Sequence, residues 1–159
     1  MERFEELREK AVQKIKVADH MLTITFPMIK DPRMLPAILE DIFLGMSYAM
    51  QSILSFEATY KRIPIYENSY RGRMLAFTSY CMDRLKIDAE AVATIREIRH
   101  LLLLHQKSPT EFVRNNTFII CGTDFSTAQI TEGSIKNYLK KAKDFVHAAS
   151  FIVKKEKIA

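Results

Sequence analysis

Two arginines and two histidines, Arg96, Arg99, His100 and His105, fall in the stretch Asp88 to Pro109, inside an otherwise apolar pattern. A histidine with an unperturbed pKa of about 6.5 exchanges protons near neutral pH. A guanidinium stays charged and offers phosphate oxygens a planar fork of donors. Together these groups can do acid–base chemistry on a phosphate ester and hold the negative charge that develops there. Other chemistries find no support, since the chain has no Gly-rich phosphate loop, no His-Glu-x-x-His and no Gly-x-Ser-x-Gly. Cys81 and Cys121 lie far apart and neither belongs to a Cys-x-x-Cys pair, so the spacing calls for no metal and no cofactor.

The element that must carry these groups is a helix. Ala91, Val92, Ile95, Ile98, Leu102 and Leu103 recur at three- and four-residue steps, Asp88 is suited to cap the start, and Ser108-Pro109 to end it. On an unbroken helix a six-residue step turns about 600°, so Arg99 and His105 point about 120° apart and stand about 9 Å apart along the axis. Arg96 and His100, four apart, share a face. This geometry favours a composite site in which a second subunit supplies the missing half. The run Leu101 to Leu104 spreads apolar surface around more of the helix than one bundle covers, so the chain is expected to be a homodimer with this helix lining or bordering the two-fold interface.

Four other helices are readable. Phe4, Leu7, Ala11, Ile15, Ala18 and Leu22 make one apolar face of a helix reaching about Thr25. Asp31-Pro32 opens the next, whose stripe from Leu35 to Leu54 is wide enough for a central helix. A third covers Tyr70 to Leu85, with Met74, Leu75, Phe77, Thr78, Cys81, Met82 and Leu85 inward, after an aperiodic loop that begins near Ile63. Past Pro109 the pattern changes. Thr117 to Cys121 and Phe125 to Ile130 are short and β-prone around Gly122-Thr123-Asp124, the signature of a small hairpin. Thr131 can cap a final helix from about Glu132 to Lys155. The expected fold is all-α, an antiparallel bundle of four to five helices with a small β-hairpin inserted before the last helix.

At 159 residues, 48% hydrophobic and 27% charged, the chain suits a single domain over 1–159 with one core. Four glycines and five prolines are few for a loop-rich β protein. A net charge of +5 and a pI near 9.2 suit a polyanionic partner such as RNA or nucleotide, although the lysines and arginines form no dense run. No apolar run approaches the roughly 20 residues of a membrane span, and the charged amphipathic start holds no signal-peptide core. A soluble cytoplasmic protein without membrane association is the expectation.

Structural explanations compete for the same residues. Arg99 can pair with a carboxylate such as Glu97, and His105 near a helix C-terminus is well placed against the dipole. Glu111 can pair Arg99 or Arg114, but a loop anchored by Phe112 is the reading that the segment favours over that pairing. His20 and His147 stand alone on amphipathic faces. Lys140, Lys141, Lys143, Lys154, Lys155 and Lys157 read first as a solvated face and second as an RNA contact.

The sequence Arg99-His100-x-x-x-x-His105, in an all-helical basic chain, resembles the signature of the HEPN (higher eukaryotes and prokaryotes nucleotide-binding) superfamily, an arginine followed after four to six residues by a histidine, often with a polar residue just after the arginine. The hairpin is not part of that minimal bundle. The resemblance implies a metal-independent endoribonuclease in which two subunits bring Arg99 and His105 together and the RNA's own 2′-hydroxyl is the nucleophile, with His105 as general acid or base, Arg99 as electrostatic stabiliser, His100 or Arg96 assisting the catalysis, and Arg96 and Arg114 binding substrate. It also implies a toxin-type component with a nucleotidyltransferase-like partner. The alternative is a non-catalytic helical adaptor that binds RNA, nucleotide or a protein partner.

Overall fold

Phe4, Leu7, Ala11, Ile15 and Ala18, spaced by three and four, are the buried stripe of α1 (Arg3–His20) in a computed structural model that describes residues 1–158, with side chains through Lys154. One wide π turn, Met21–Thr25, carries α1 into the short α2 (Phe26–Ile29). Asp31 then caps a 3-10 turn that Pro32 opens, its carboxylate accepting from the Arg33 N–H at 3.0 Å. From there α3 (Leu35–Thr59) runs through the middle of the molecule against α1, α6 and α7. Its Leu35, Ile38, Leu39, Ile42, Met46, Met50, Ile53 and Leu54 are wholly buried, as the wide stripe requires. Gly45 is needed where α1 crosses, because a Cβ there would stand 2.4 Å from Ile15 Cδ1.

The third rod begins where Ser69 Oγ accepts from the Gly72 N–H at 3.0 Å. It consists of α4 (Tyr70–Ala76), a second π turn (Phe77–Cys81) and α5 (Met82–Leu85). Leu75, expected inward, is instead 65% exposed. Met74, Phe77 and Cys81 fill the inward stripe, and Leu75 is rotated about 100° from Met74.

Asp88 caps α6 (Ala89–Lys107), accepting from the Glu90 N–H at 2.9 Å, and Val92, Thr94, Ile95 and Ile98 are its buried residues. The helix ends because Pro109 disfavours helical backbone in the residue before it, and Ser108 is extended. Thr131 Oγ1 accepts from the Ser134 N–H at 3.0 Å and starts α7 (Glu132–Ile158). The five rods put Ile95, Ile98, Phe77, Ile135 and Leu139 into one core with α3. None of the described helices is long and apolar enough to cross a membrane.

Between α6 and α7 the chain makes a three-stranded antiparallel sheet rather than the expected hairpin. The strands are β1 (Thr110–Arg114), β2 (Thr117–Cys121) and β3 (Thr127–Ile130), in that order. The expected β2–β3 pair is present, with Ile119 opposite Gln129 and Ile120 opposite Ala128. The added strand is the Thr110 to Arg114 segment, expected as a loop anchored by Phe112, whose side chain is 42% exposed and lies outside the buried core. Its cause is the turn at Asn115-Asn116, both left-handed at φ 52° and 60°, which folds β1 back onto β2 with Arg114 opposite Thr117.

Candidate functional site

Two clusters of ionisable groups sit on α6, and they are separate. The first lines a groove of about 580 Å³ between α4 and α6, where Arg96, Arg99 and His100 meet Tyr70 and Arg71 over a floor that includes Met74 and Leu103. Arg96 and His100 share a helical face, as their spacing requires, and both are exposed. Arg99, half-buried, lays its guanidinium over the Tyr70 ring, 3.7 Å from the centroid. Burial holds the Tyr70 hydroxyl above its ordinary pKa against the pull of Arg99 and Arg96, so the ring stays neutral beneath the cation.

The carboxylate expected to neutralise Arg99 is occupied elsewhere. Glu97 accepts from the Tyr138 hydroxyl at 2.6 Å, and burial and that bond push the Tyr138 hydroxyl pKa well above its usual range. Among the described residues no carboxylate pairs with Arg71, Arg96 or Arg99. The groove therefore carries uncompensated positive charge, with Arg71 and Arg96 exposed to solvent, a surface that complements an anion.

The second cluster lies at the C-terminal end of α6. His105 places Nδ1 2.5 Å from Oε2 of Glu111 on β1, and its ring meets the edge of Phe118 on β2 at 5.7 Å between centroids. A carboxylate only accepts, so the proton of this bond sits on Nδ1 and Nε2 is left as the atom that takes or gives a proton. Both side chains are part-exposed, 34% for His105 and 24% for Glu111. Glu111 thus pairs His105 rather than Arg99 or Arg114. It reaches His105 because the β1–β2 turn sets β1 beside the end of α6, a placement that helix periodicity does not contain.

Arg99 and His105 therefore do not converge in one chain, and no hydrogen bond, ion pair or shared groove joins them among the described residues. Arg114 stands exposed at the turn, in neither cluster. Leu101, Leu102 and Leu104 are half-buried and pack onto the core, while Leu103 faces the arginine groove, so little of the leucine run is left as bare apolar surface. Of the lysines, Lys141 pairs with Glu90 at 2.9 Å and Lys143 with Asp19 at 2.8 Å, which makes them bridges between helices. Lys155 and Lys157 fall outside the described side chains. His20 and His147 are exposed and away from both clusters. Among the described residues no group of three His, Cys, Asp or Glu side chains could hold a metal. Sequence reasoning missed Tyr70 and Arg71, whose signal was only that an aromatic and a cation open the helix facing the motif.

No family model matches the chain, and no curated protein matches it.

Proposed function

We propose that the chain is a HEPN-like endoribonuclease that acts as a dimer and needs no metal. The observation that carries this reading is the groove on which Arg71, Arg96 and Arg99 stand without carboxylate partners among the described residues, on the same helix whose C-terminal end holds a carboxylate-bound imidazole. The groove suits a polyanionic backbone, and the oriented imidazole suits proton transfer.

The reaction would run as follows. His105 takes the proton of a ribose 2′-hydroxyl through Nε2, and the resulting oxygen attacks the adjacent phosphorus. The bond from phosphorus to the 5′ oxygen breaks, and that oxygen leaves with the electron pair and takes the Nε2 proton of a second histidine ring, which enters the step as the imidazolium. Arg99, with Arg96, holds the non-bridging oxygens as charge builds on them. On one helix His100 is turned about 140° from His105, so the second imidazole has to come from the other subunit. Single-stranded RNA is the substrate class, since its backbone can bend into line for attack by its own hydroxyl.

The test is cleavage of fluorophore-labelled single-stranded RNA in excess EDTA. Arg99→Ala and His105→Ala should each slow cleavage on the order of 100-fold or more, with melting temperatures barely changed. A dimeric preparation that leaves several RNAs intact would overturn the reading, and binding of RNA by that same preparation would point to an adaptor.

A further inference from the structure

We infer that β1 is the interface between two copies of this chain, pairing antiparallel with itself about a two-fold axis at Phe112. The sheet order is β1, β2, β3, so β1 is an edge, and four of its five residues are exposed apart from Glu111. Arg114 and Thr117 flank a two-residue turn with both central residues left-handed, which makes them a hydrogen-bonded pair of the ladder. By alternation Phe112 with Ile119 and Thr110 with Cys121 are also hydrogen-bonded pairs. The N–H and C=O groups of Glu111 and Val113 consequently point away from β2, to an edge with no strand beside it.

These four open groups fix the register. With Phe112 on the axis, Glu111 of one copy stands opposite Val113 of the other, and the two such pairs use every open group in four hydrogen bonds. Moving the axis to Glu111 would set Val113 opposite Pro109, which has no N–H to give. Moving it to Val113 would set Glu111 opposite Asn115, which is in the turn. The Phe112-centred register also opposes no like charges, since Thr110 meets Arg114 and Glu111 meets Val113. It places the two Phe112 rings, each 42% exposed, against one another, and covers Val113, exposed at 41%. An edge strand with open N–H and C=O groups is where another strand can add.

Its consequence for the site rests on the ribonuclease reading. Glu111 and Val113 share the face of β1 that turns toward His105, so the two Glu111 residues become diagonal neighbours about 7–8 Å apart. Each holds a His105, and two oriented imidazoles then flank the axis, one to accept the 2′ proton and one to protonate the leaving oxygen.

Disulfide trapping and sedimentation test the pairing without RNA. Phe112→Cys should be driven by mild oxidant into a covalent dimer in most molecules, whereas Thr110→Cys, which faces Arg114, and the wild-type chain with its Cys81 and Cys121 should not. Val113→Pro removes an N–H that points off the edge and leaves the β1–β2 ladder intact, so it should sediment as a monomer at micromolar concentration with an unchanged far-UV spectrum. A monomeric wild-type chain, a Val113→Pro protein that stays dimeric, or a Phe112→Cys protein that cross-links no more than wild type would overturn the interface. If the trapped dimer forms and wild type cuts no RNA, the ribonuclease reading fails and the interface stands. If monomeric Val113→Pro cuts RNA at the wild-type rate, the two-imidazole site is overturned.

Discussion

The guanidinium of Arg99 lies 3.7 Å from the centroid of the Tyr70 ring, so the arginine of the motif is positioned by an aromatic face from another helix and not by a carboxylate. On the ribonuclease reading this difference has a functional consequence. A carboxylate would cancel the charge and compete with a phosphate, whereas a ring steadies the cation and leaves its N–H donors open. Tyr70→Ala should therefore weaken RNA binding, by about 2- to 30-fold if the contact contributes about 0.5–2 kcal/mol. Tyr70→Phe keeps the ring and should bind almost as wild type. Fluorescence anisotropy with a short RNA checks both, and equal losses in the two variants would show that the hydroxyl, and not the ring, matters.

His105 and Glu111 make the next prediction. If Glu111 serves to hold the proton on Nδ1, Glu111→Gln can offer an amide N–H to that nitrogen and favour the wrong tautomer. Cleavage should fall by about 10- to 100-fold while RNA affinity stays unchanged, because the loss is in proton transfer. Single-turnover rates beside binding curves separate the two. A variant that loses affinity but cleaves bound RNA normally would make Glu111 a binding residue.

What the sequence revealed and what it hid follow from the range of each interaction. The stripes of α1, α3 and α7 and the caps Asp31, Asp88 and Thr131 are local, set by residues within a few positions of each other, and they are where periodicity puts them. β1 escaped because an edge strand buries little, and its residues Thr110, Glu111 and Arg114 carry no apolar alternation. The Asn115-Asn116 turn was the available signal. The two π turns left no trace in the periodicity, since one inserted residue per turn shifts the stripe without breaking it. The motif residues themselves were legible, but their partners were not. Tyr70 is 29 positions before Arg99 and pairs with it only through packing of α4 on α6.

A buried carboxylate tests the packing of the third rod. Glu57 is fully buried near the end of α3, with Arg84 of α5 at 2.7 Å and Arg62 at 3.6 Å. Arg84→Ala leaves the buried carboxylate with only the more distant Arg62 and should cost about 1–3 kcal/mol. Glu57→Gln leaves behind an arginine that is 44% exposed and can turn to water, so its cost should be clearly smaller. Urea melts give the order, and a Glu57→Gln variant less stable than Arg84→Ala would reverse the argument.

The last prediction concerns alkaline pH. Cys81 is buried in the second π turn, where desolvation and then the charge of Glu57 push its thiol up to about 11 from an ordinary 9.0. Between those values the folded chain keeps a proton that the unfolded chain has lost, so stability falls as pH rises. The contribution is whole below about 9 and is gone once pH passes about 11. Tyrosines and lysines titrate in the same range, so the informative quantity is the difference between wild type and Cys81→Ala. The alanine variant should be the less stable at pH 8, from its smaller side chain, and should gain on wild type steadily between pH 9 and 11 in urea melts. Cys81 in the native protein should also resist iodoacetamide at pH 8, since the thiolate is the nucleophile and this thiol is protonated and covered. Cys121, only half-buried, should be alkylated first. Parallel stability curves for the two proteins across that pH range would show that Cys81 titrates as it does in the unfolded chain.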